Sequence, residues 1–424
     1  MKTLRRGDSG AYVEMLQLAL FRSGYLRESD IDGKFGVKTE NAVRAYQTSM
    51  GLLSDGIVGA LTWGKLQSFI RGYFEYTIKR GDTLYNLAKE NGTTVRAIET
   101  ANPALNPDNL LVGLRIKVPF GFPVVAENIK YTYELVRLIS EGIAARYPFI
   151  NLSSVGKSVM NRDLLLLSLG TGQNEVFINA SHHANEWITT PLTLKFLENY
   201  ASSYSNNDRI SSFSAAELFR NSRLYLMPLV NPDGVDLVNG AVSGQFYEGA
   251  KEIALSFPNI PFPSGWKANI LGEDLNLNYP ALWERAKEVK YAQGFDRPAP
   301  RDFVGAAPLA AKETRAVYDF TNTKMFDITI SYHTQGKEIY YEFQGKVPPK
   351  GLQIGAEFER LSGYRLATVP PNSSYAGYKD WVIEDFNVPS YTIEAGAGAN
   401  PLPISQLNEI YNDNVGVMAY ALSL

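Results

Sequence analysis

The sequence predicts a multidomain protein that combines a small three-helix bundle, a βααβ module and a larger α/β/α domain with a mixed, mostly parallel sheet. The chain has 424 residues, which is too long for one ordinary core. A short motif is repeated near the N-terminus, and from about residue 124 onwards apolar strands alternate with amphipathic helices. We therefore expect domains over residues 1–72, 73–120 and 121–424.

Composition excludes several classes of partner and site. The net charge of −3 and the pI near 5.8 argue against nucleic acid as a partner, because binding it requires a basic surface. The absence of cysteine excludes disulfides, thiolate metal sites and a cysteine nucleophile, and it suits a protein that works outside a reducing cytosol. No run is apolar enough to span a membrane. No secretory signal is visible at the start, so an extracellular location implies a removed signal, release by cell lysis, or a spore.

The first segment carries the internal repeat. Asp32–Thr39 recurs as Asp55–Thr62, with a glycine turn in each copy and a threonine that we expect to cap the following helix. This pattern predicts a three-helix unit over about residues 4–70. Together with Gly7–Gly10 and Ala42–Gln47, these residues resemble a peptidoglycan-binding domain of the type found beside cell-wall hydrolases. The alternative is a helical spacer that binds nothing.

The second segment predicts a βααβ module in fewer than about fifty residues. Its predicted elements are a strand at Tyr76–Lys79, helices at Leu84–Asn91 and Val95–Ala101, and a strand at Leu114–Val118. This segment resembles a LysM module over its full length, including Ala101-Asn102-Pro103. The resemblance implies a shallow groove for glycan that contains N-acetylglucosamine. Pro119–Pro123 is typical of a linker to the rest of the chain.

The remaining 300 or so residues predict a mixed, mostly parallel sheet with helices on both faces. The predicted buried strands are Leu164–Leu169, Val176–Ala180, Leu224–Val230, Ile328–Tyr332 and Tyr391–Ile393. The predicted helices are Tyr133–Tyr147, Thr190–Tyr200, Ala310–Thr321 and Leu352–Ser362. In such an architecture function collects at the carboxyl ends of the strands.

Polar residues follow three of these predicted strands. His183 and Glu186, spaced three residues apart, come after the second strand, His333 after the fourth and Glu394 after the fifth. If they converge, the first three residues form a site for one zinc ion with an open position, and Glu394 is the unligated base. Zinc lowers the pKa of a bound water from about 15.7 to ~7. Asp274 is a natural acceptor to orient a histidine ring.

These residues resemble the zinc carboxypeptidase family. The resemblance rests on His183-x-x-Glu186, the distant His333 and Thr392-Ile393-Glu394. Two further motifs, Trp266–Asn269 and Ser331–Gly336, resemble the branch that cleaves γ-D-glutamyl-diaminopimelate bonds in bacterial wall peptides. The resemblance implies a zinc metallopeptidase that acts on peptidoglycan stem peptides while two modules bind the wall. The alternatives are an LD- or DD-carboxypeptidase and an inactive wall-binding protein.

The resemblance also implies roles for residues around the metal site. Lys267 stands where the family has an arginine that stabilises the oxyanion, and Asn185 where it has an arginine between the first two ligands. Leu277 replaces the arginine that clamps a terminal carboxylate, next to Asn276, which we expect to bind substrate. Loss of that clamp argues against a conventional terminal carboxypeptidase.

The family tyrosine that contacts the peptide near the scissile bond is ambiguous here. Alignment on Asp380-Trp381 puts Asn372 at its position, while Tyr375 and Tyr378 lie nearby. We select Tyr375 as the expected substrate contact.

Overall fold

A computed structural model describes residues 1–370 and 375–424, and the chain divides into two compact units, Met1–Leu152 and Ser153–Leu424. The elements of the first unit, in chain order, are α1 (Ala11–Arg22), α2 (Val37–Ser49), α3 (Ala60–Arg71), β1 (Tyr73–Thr77), α4 (Leu84–Glu90), α5 (Val95–Ala101), β2 (Arg115–Pro119) and α6 (Tyr133–Arg146). The predicted three-helix bundle and the βααβ order are therefore both present.

Helix α6 packs with the small modules, although it follows the predicted linker. Arg71 at the end of α3 forms an ion pair of 2.8 Å with Glu141 on α6. Gly142 permits the close approach of the two helices, because an added Cβ would lie 2.1 Å from the carbonyl oxygen of Arg71. For these reasons the first compact unit extends beyond residue 121 to Leu152.

The repeated motif forms two equivalent loops, each fastened by one glutamine. The side-chain amide of Gln17 donates to Asp32 Oδ1 at 2.8 Å and to Thr39 Oγ1 at 3.1 Å. Gln47 donates in the same way to Asp55 Oδ1 at 2.9 Å and to the threonine of the second copy at 3.2 Å. Each glutamine thus satisfies the polar groups of a loop that is partly buried.

The predicted threonine caps are wrong. Helices α2 and α3 begin earlier, after Gly36 and Gly59, and neither N-cap residue makes a side-chain cap. Thr39 and Thr62 lie within the first helical turn, where their hydroxyls accept from the buried glutamines instead of from backbone N–H groups. The loop network therefore determines the position of each threonine.

The βααβ module has the conventional form. Strands β1 and β2 pair antiparallel, with Tyr73 opposite Pro119. Thr83 and Thr94 do cap α4 and α5, because their side chains accept from backbone N–H groups three residues ahead. Apolar side chains from both helices and both strand segments form its core, including Ile78, Leu84, Leu87, Ile98, Ile116 and Val118.

The second unit contains one eight-stranded sheet, as predicted mixed and mostly parallel. Its strands are β3 (Asn151–Lys157), β4 (Asp163–Leu169), β5 (Asn174–Ala180), β8 (Ser222–Met227), β9 (Ile328–His333), β10 (Glu338–Tyr340), β11 (Arg365–Ala367) and β12 (Ser390–Glu394), and a separate two-stranded ribbon comprises β6 (Arg209–Ile210) and β7 (Phe213–Ser214). Its helices are α7 (Thr189–Asn206), α8 (Ala215–Asn221), α9 (Pro232–Val238), α10 (Gln245–Leu255), α11 (Trp283–Ala292), α12 (Lys312–Asn322), α13 (Gly351–Ser362), α14 (Tyr378–Phe386) and α15 (Leu407–Ala421). The strand order is β11-β10-β12-β9-β5-β8-β4-β3.

Helices cover both faces of this sheet. Phe177 on β5 packs in one apolar cluster with Val317 of α12 and Trp381 of α14. Tyr391 on β12 lies on the opposite face by register, and its ring packs 4.8 Å from that of Phe358 on α13. The α/β/α layering is thus confirmed.

Three neighbouring parallel strands, β5, β9 and β12, end at the same edge of the sheet. Glu394 is in register with His333, and Ala180 is in register with Tyr332. The polar residues that follow these strands are therefore brought together. Within the described ranges, no helix has the length and apolar character needed to cross a membrane.

Candidate active site

His183, Glu186 and His333 converge at the carboxyl edge of the sheet. A short 3₁₀ turn at Ala184–Glu186 returns the glutamate towards His183, and Glu186 Oε1 lies 3.0 Å from His183 Nδ1. The other carboxylate oxygen, Oε2, lies 2.9 Å from His333 Nδ1. The two Nδ1 atoms are 3.1 Å apart, and all three side chains are buried.

The donor set fits a single zinc ion. His183 Nε2 donates to Asp274 Oδ1 at 3.1 Å, so in the neutral ring the inward-facing Nδ1 carries the lone pair. The two Nδ1 atoms, 3.1 Å apart, and both oxygens of Glu186 face one point, so one cation can take the place of the protons that these atoms otherwise share. Zinc bound to both nitrogens at 2.0–2.1 Å with a tetrahedral angle would hold them about 3.3 Å apart.

The electrostatics of the cluster also favour a cation. Burial opposes a charge on His183, but the Glu186 carboxylate outweighs it and raises the pKa of His183 to about 9. Burial lowers the pKa of His333. Burial opposes ionisation of Glu186, yet His183 and Lys267 hold its pKa well below the ordinary value. Because metal ligands must be deprotonated, binding of a cation here displaces a proton from the histidine pair.

Glu394 and Lys267 lie beside these ligands. Lys267 Nζ is 3.1 Å from Glu186 Oε1, and its pKa is raised because Glu186 outweighs the effect of burial. Burial and the nearby Glu186 carboxylate raise the pKa of Glu394 to about 8. A divalent cation would oppose that rise, since it adds positive charge next to both carboxylates.

Two cavities meet at this point. One has a volume of about 290 Å³ and the other about 560 Å³, and both are lined by Lys267, Arg301, Tyr340 and Glu394. The smaller cavity is also lined by Asn276, Leu277, Lys290, Tyr375, Lys379 and Asp380. The larger cavity is also lined by Asn185, Asn259, Pro261, Thr334, Gln335 and Asn400. A substrate can thus extend to both sides of Glu394.

The residues expected to bind substrate fall in different cavities. Asn276 and Tyr375 line the smaller cavity, and Asn276 Oδ1 accepts from the backbone N–H of Tyr378 at 3.0 Å. Asn185 lines the larger cavity, where its Oδ1 is buried without a partner among the described residues. Tyr378 is buried with its hydroxyl 3.2 Å from Thr321 Oγ1, and Asn372 lies outside the described residues.

Sequence reasoning missed Arg301 and Tyr340. Tyr340 is on the short strand β10, and its hydroxyl donates to Glu338 Oε2 at 2.5 Å. Arg301 follows two prolines in a segment without helical or strand periodicity. The sequence therefore shows it only as a basic residue in a stretch rich in turn-forming residues. Both residues reach the site through tertiary placement.

Comparisons with known families agree with this geometry. The zinc carboxypeptidase family model matches residues 138–416, which is more than half of the chain. A model described as a putative peptidoglycan binding domain matches residues 9–66, and the LysM domain model matches residues 76–119.

Two similar bacterial proteins each align with about two thirds of this chain. The chain is 39% identical over 295 residues to gamma-D-glutamyl-L-diamino acid endopeptidase 1 of Lysinibacillus sphaericus, which covers 69% of this chain and 72% of that protein. It is 41% identical over 281 residues to the Bacillus subtilis (strain 168) protein YqgT, which covers 65% of this chain and 73% of that one.

The fold is also similar to a crystal structure of thrombin activatable fibrinolysis inhibitor. The TM-score is 0.57 at 16% identity, and the match covers 83% of this chain and 98% of that one. At this level of identity the similarity shows the fold alone.

Proposed function

Because the chain belongs to the zinc carboxypeptidase family and is a zinc metallopeptidase, we propose that it hydrolyses the γ-D-glutamyl-diaminopimelate bond of bacterial stem peptides. The observation that carries this proposal is the convergence of His183, Glu186 and His333 beside Glu394. The substrate assignment is supported by the 39% identity to an endopeptidase that acts on gamma-D-glutamyl-L-diamino acids.

In the proposed mechanism His183, Glu186 and His333 hold the zinc ion, while Asp274 fixes the ring of His183. When bound, zinc acidifies water and polarises the scissile carbonyl. Glu394 takes a proton from the attacking water and delivers it to the leaving amine, so that a C–O bond forms as the C–N bond breaks. Lys267 stabilises the negative charge that develops on the carbonyl oxygen, as a point charge without bidentate geometry.

The substrate is proposed to lie across both cavities. Asn276 and Tyr375 contact it in the smaller cavity, and Asn185 contacts it in the larger one. Space on both sides of Glu394 supports cleavage within a stem peptide. Leu277 in the wall of the smaller cavity offers no charge to a terminal carboxylate.

The peptidoglycan-binding and LysM modules associate the chain with the cell wall. We propose that residues 1–72 and 73–120 bind peptidoglycan and hold the catalytic domain, residues 121–424, at its substrate. Tethering raises the local concentration of stem peptides without new contacts. The proposed place of action is the extracellular wall or the spore.

Defined muropeptides test this function. The zinc-loaded full chain is incubated with tripeptide and tetrapeptide stems, and the products are identified by mass. We expect both stems to lose everything after the glutamyl residue and leave L-alanyl-D-glutamate. Release of terminal D-alanine alone would identify a carboxypeptidase, and wall binding without any product would identify an inactive wall-binding protein.

A further inference from the structure

We infer that Arg301 is a specificity residue that binds the free α-carboxylate of the γ-linked glutamyl residue in the substrate. The inference rests on the proposed function and adds a substrate contact to it. Arg301 lines both cavities together with Lys267 and Glu394, so a substrate that reaches Glu394 passes Arg301.

The backbone of Arg301 is fixed to the segment that carries the site. The N–H of Lys267 donates to the carbonyl of Pro300 at 2.7 Å. On the other side of Arg301, the N–H of Asp274 donates to the carbonyl of Phe303 at 2.8 Å. Because Lys267 and Asp274 both contact the metal ligands, these bonds place Arg301 at a defined position relative to the cluster.

The side chain of Arg301 is anchored at one end only. Its Nε donates to Asp302 Oδ2 at 2.5 Å, and Asp302 Oδ1 accepts from Lys290 Nζ at 2.5 Å. The backbone N–H of Asp302 donates to Asp274 Oδ2 at 3.1 Å, which holds this acid in place. Across the described part of the chain, Asp302 is the one acid in an ion pair with Arg301, whose side chain is 44% exposed.

One acid serves two cations beside Arg301. Asp302 pairs with both Arg301 and Lys290 in the wall of the smaller cavity, so it does not neutralise both of them. A guanidinium held through Nε still offers its Nη groups, which match the two oxygens of a carboxylate. Arg301 is therefore pre-organised to accept a planar anion.

A γ-linked glutamyl residue supplies such an anion. Its side-chain carboxyl forms the scissile amide, so its α-carboxylate remains free three carbons from the reacting carbonyl. In an ordinary α-linked peptide the residue before the scissile bond has no free α-carboxylate. Recognition by Arg301 thus favours the isopeptide linkage over a conventional peptide bond. The diamino acid also carries carboxylates, and the test must separate the two sources.

The test compares substrates that differ by one amide. Wild type, Arg301→Gln, Arg301→Lys and the control Arg297→Gln are assayed for kcat/KM on L-alanyl-γ-D-glutamyl-diaminopimelate. The same assay uses one analogue amidated at the glutamyl α-carboxylate and one amidated at the diamino acid. Arg297 is a matched control because it lies on the same segment with a side chain 62% exposed.

We expect glutamyl amidation to lower kcat/KM of the wild type by about 10- to 100-fold, the range of a charged hydrogen bond. Arg301→Gln should lower activity on the free acid by a similar factor and leave the glutamyl amide within a few fold, so discrimination collapses. Arg301→Lys should retain part of the preference for the free acid over the glutamyl amide, and Arg297→Gln should retain all of it. Equal losses on acid and amide would overturn the inference. The inference would also be overturned if Arg301→Gln abolished only the preference for the free acid over the analogue amidated at the diamino acid.

Binding of products separates this inference from the proposed function. If the wild type cleaves none of the substrates, the proposed function fails. Calorimetry on the zinc-loaded full chain then compares L-alanyl-D-glutamate with L-alanyl-D-isoglutamine. Tighter binding of the acid that is lost in Arg301→Gln supports the role of Arg301, and equal binding by the wild type overturns it. Thermal unfolding of each variant verifies that it is folded.

Discussion

Two buried polar clusters in this chain differ in how their polar atoms are paired. In the first unit, Gln17 and Gln47 each fasten a loop, and every contact joins a donor to an acceptor. In the second unit, His183 and His333 direct their Nδ1 atoms at each other across 3.1 Å, with Glu186 touching both. The first cluster is complete within the chain, whereas the ligand atoms of the second converge on one point where a metal ion can replace the shared protons.

This difference distinguishes a structural cluster from a functional one. A buried polar network whose groups are all paired holds one conformation and has nothing left to offer a ligand. A cluster whose electron pairs converge binds a proton or a metal ion at that point, and it can exchange one for the other. Convergence of unpaired acceptors is therefore more informative about function than burial of polar residues as such.

The largest effect is expected at Glu394, which borders the incomplete cluster without being a ligand. Glu394→Gln should lower kcat by about 10²- to 10⁴-fold, because a general base contributes on that order. Zinc content and thermal unfolding should stay at wild-type values, since all three ligands remain. Turnover measured on a stem tripeptide, with zinc measured by mass spectrometry, tests this. Near wild-type turnover would remove Glu394 from the mechanism.

Removal of zinc should destabilise the second unit and leave the stability of the first unit unchanged. At a zinc concentration about a thousand times Kd, bound metal stabilises the folded state by about 4 kcal/mol, and chelation should remove this from the second unit. Calorimetric unfolding with and without chelator measures the loss. The first unit should unfold at the same temperature in both conditions. In His333→Ala the chelator should change nothing, and a shift there would contradict the assigned ligand.

Glu313 is intermediate between the two clusters. Its oxygens accept hydrogen bonds, but among the described residues its negative charge has no ion-pair partner. Its oxygens accept from the N–H of Val159 at 3.0 Å and from Asn269 Nδ2 at 3.3 Å. Burial nevertheless raises the pKa of Glu313 from the ordinary 4.5 to about 7.

The raised pKa of Glu313 predicts a stability that depends on pH. Below pH 4.5 the group is protonated in both folded and unfolded states, and as pH rises to about 7 only the unfolded state releases the proton readily. The second unit should therefore lose up to about 3 kcal/mol of stability across this window. Urea unfolding from pH 4.5 to 8 should show a flatter profile for Glu313→Gln. The control Glu288→Gln, at an exposed site, should retain the wild-type slope.

The smallest effect is expected in the complete network. Gln47→Leu removes the acceptor of the buried N–H of Gly56 and one of the donors to Asp55 Oδ1, which costs about 1–3 kcal/mol. Denaturant unfolding of the first unit should show the loss, and hydrolysis of a small soluble stem peptide should be unchanged. Gln67→Leu is the control, because among the described residues its amide contacts only the sulfur of Met1, at an exposed position. Loss of hydrolysis in Gln47→Leu would contradict a purely structural network.

The sequence was sufficient for features with local signals. Strands such as Val176–Ala180 and the helices of the small modules follow from apolar periodicity. The parallel-sheet rule brought His183, Glu186 and His333 together, although their individual roles remain predictions. Relationships across the fold were not predictable. The three-residue strands β10 and β11 carry no periodicity, and Arg301 depends on backbone bonds to distant residues. The predicted caps at Thr39 and Thr62 were wrong because a buried glutamine donates to each of these hydroxyls.

The packing of α6 against α3 has a consequence for how wall-binding modules are exchanged among hydrolases. Family boundaries assign most of α6 to the peptidase, yet Arg71 and Gly142 tie it to the helical bundle. A recombination at residue 121 would strip the incoming bundle of the helix that covers it. A junction near residue 152 would transfer the bundle, the βααβ module and α6 as one cassette.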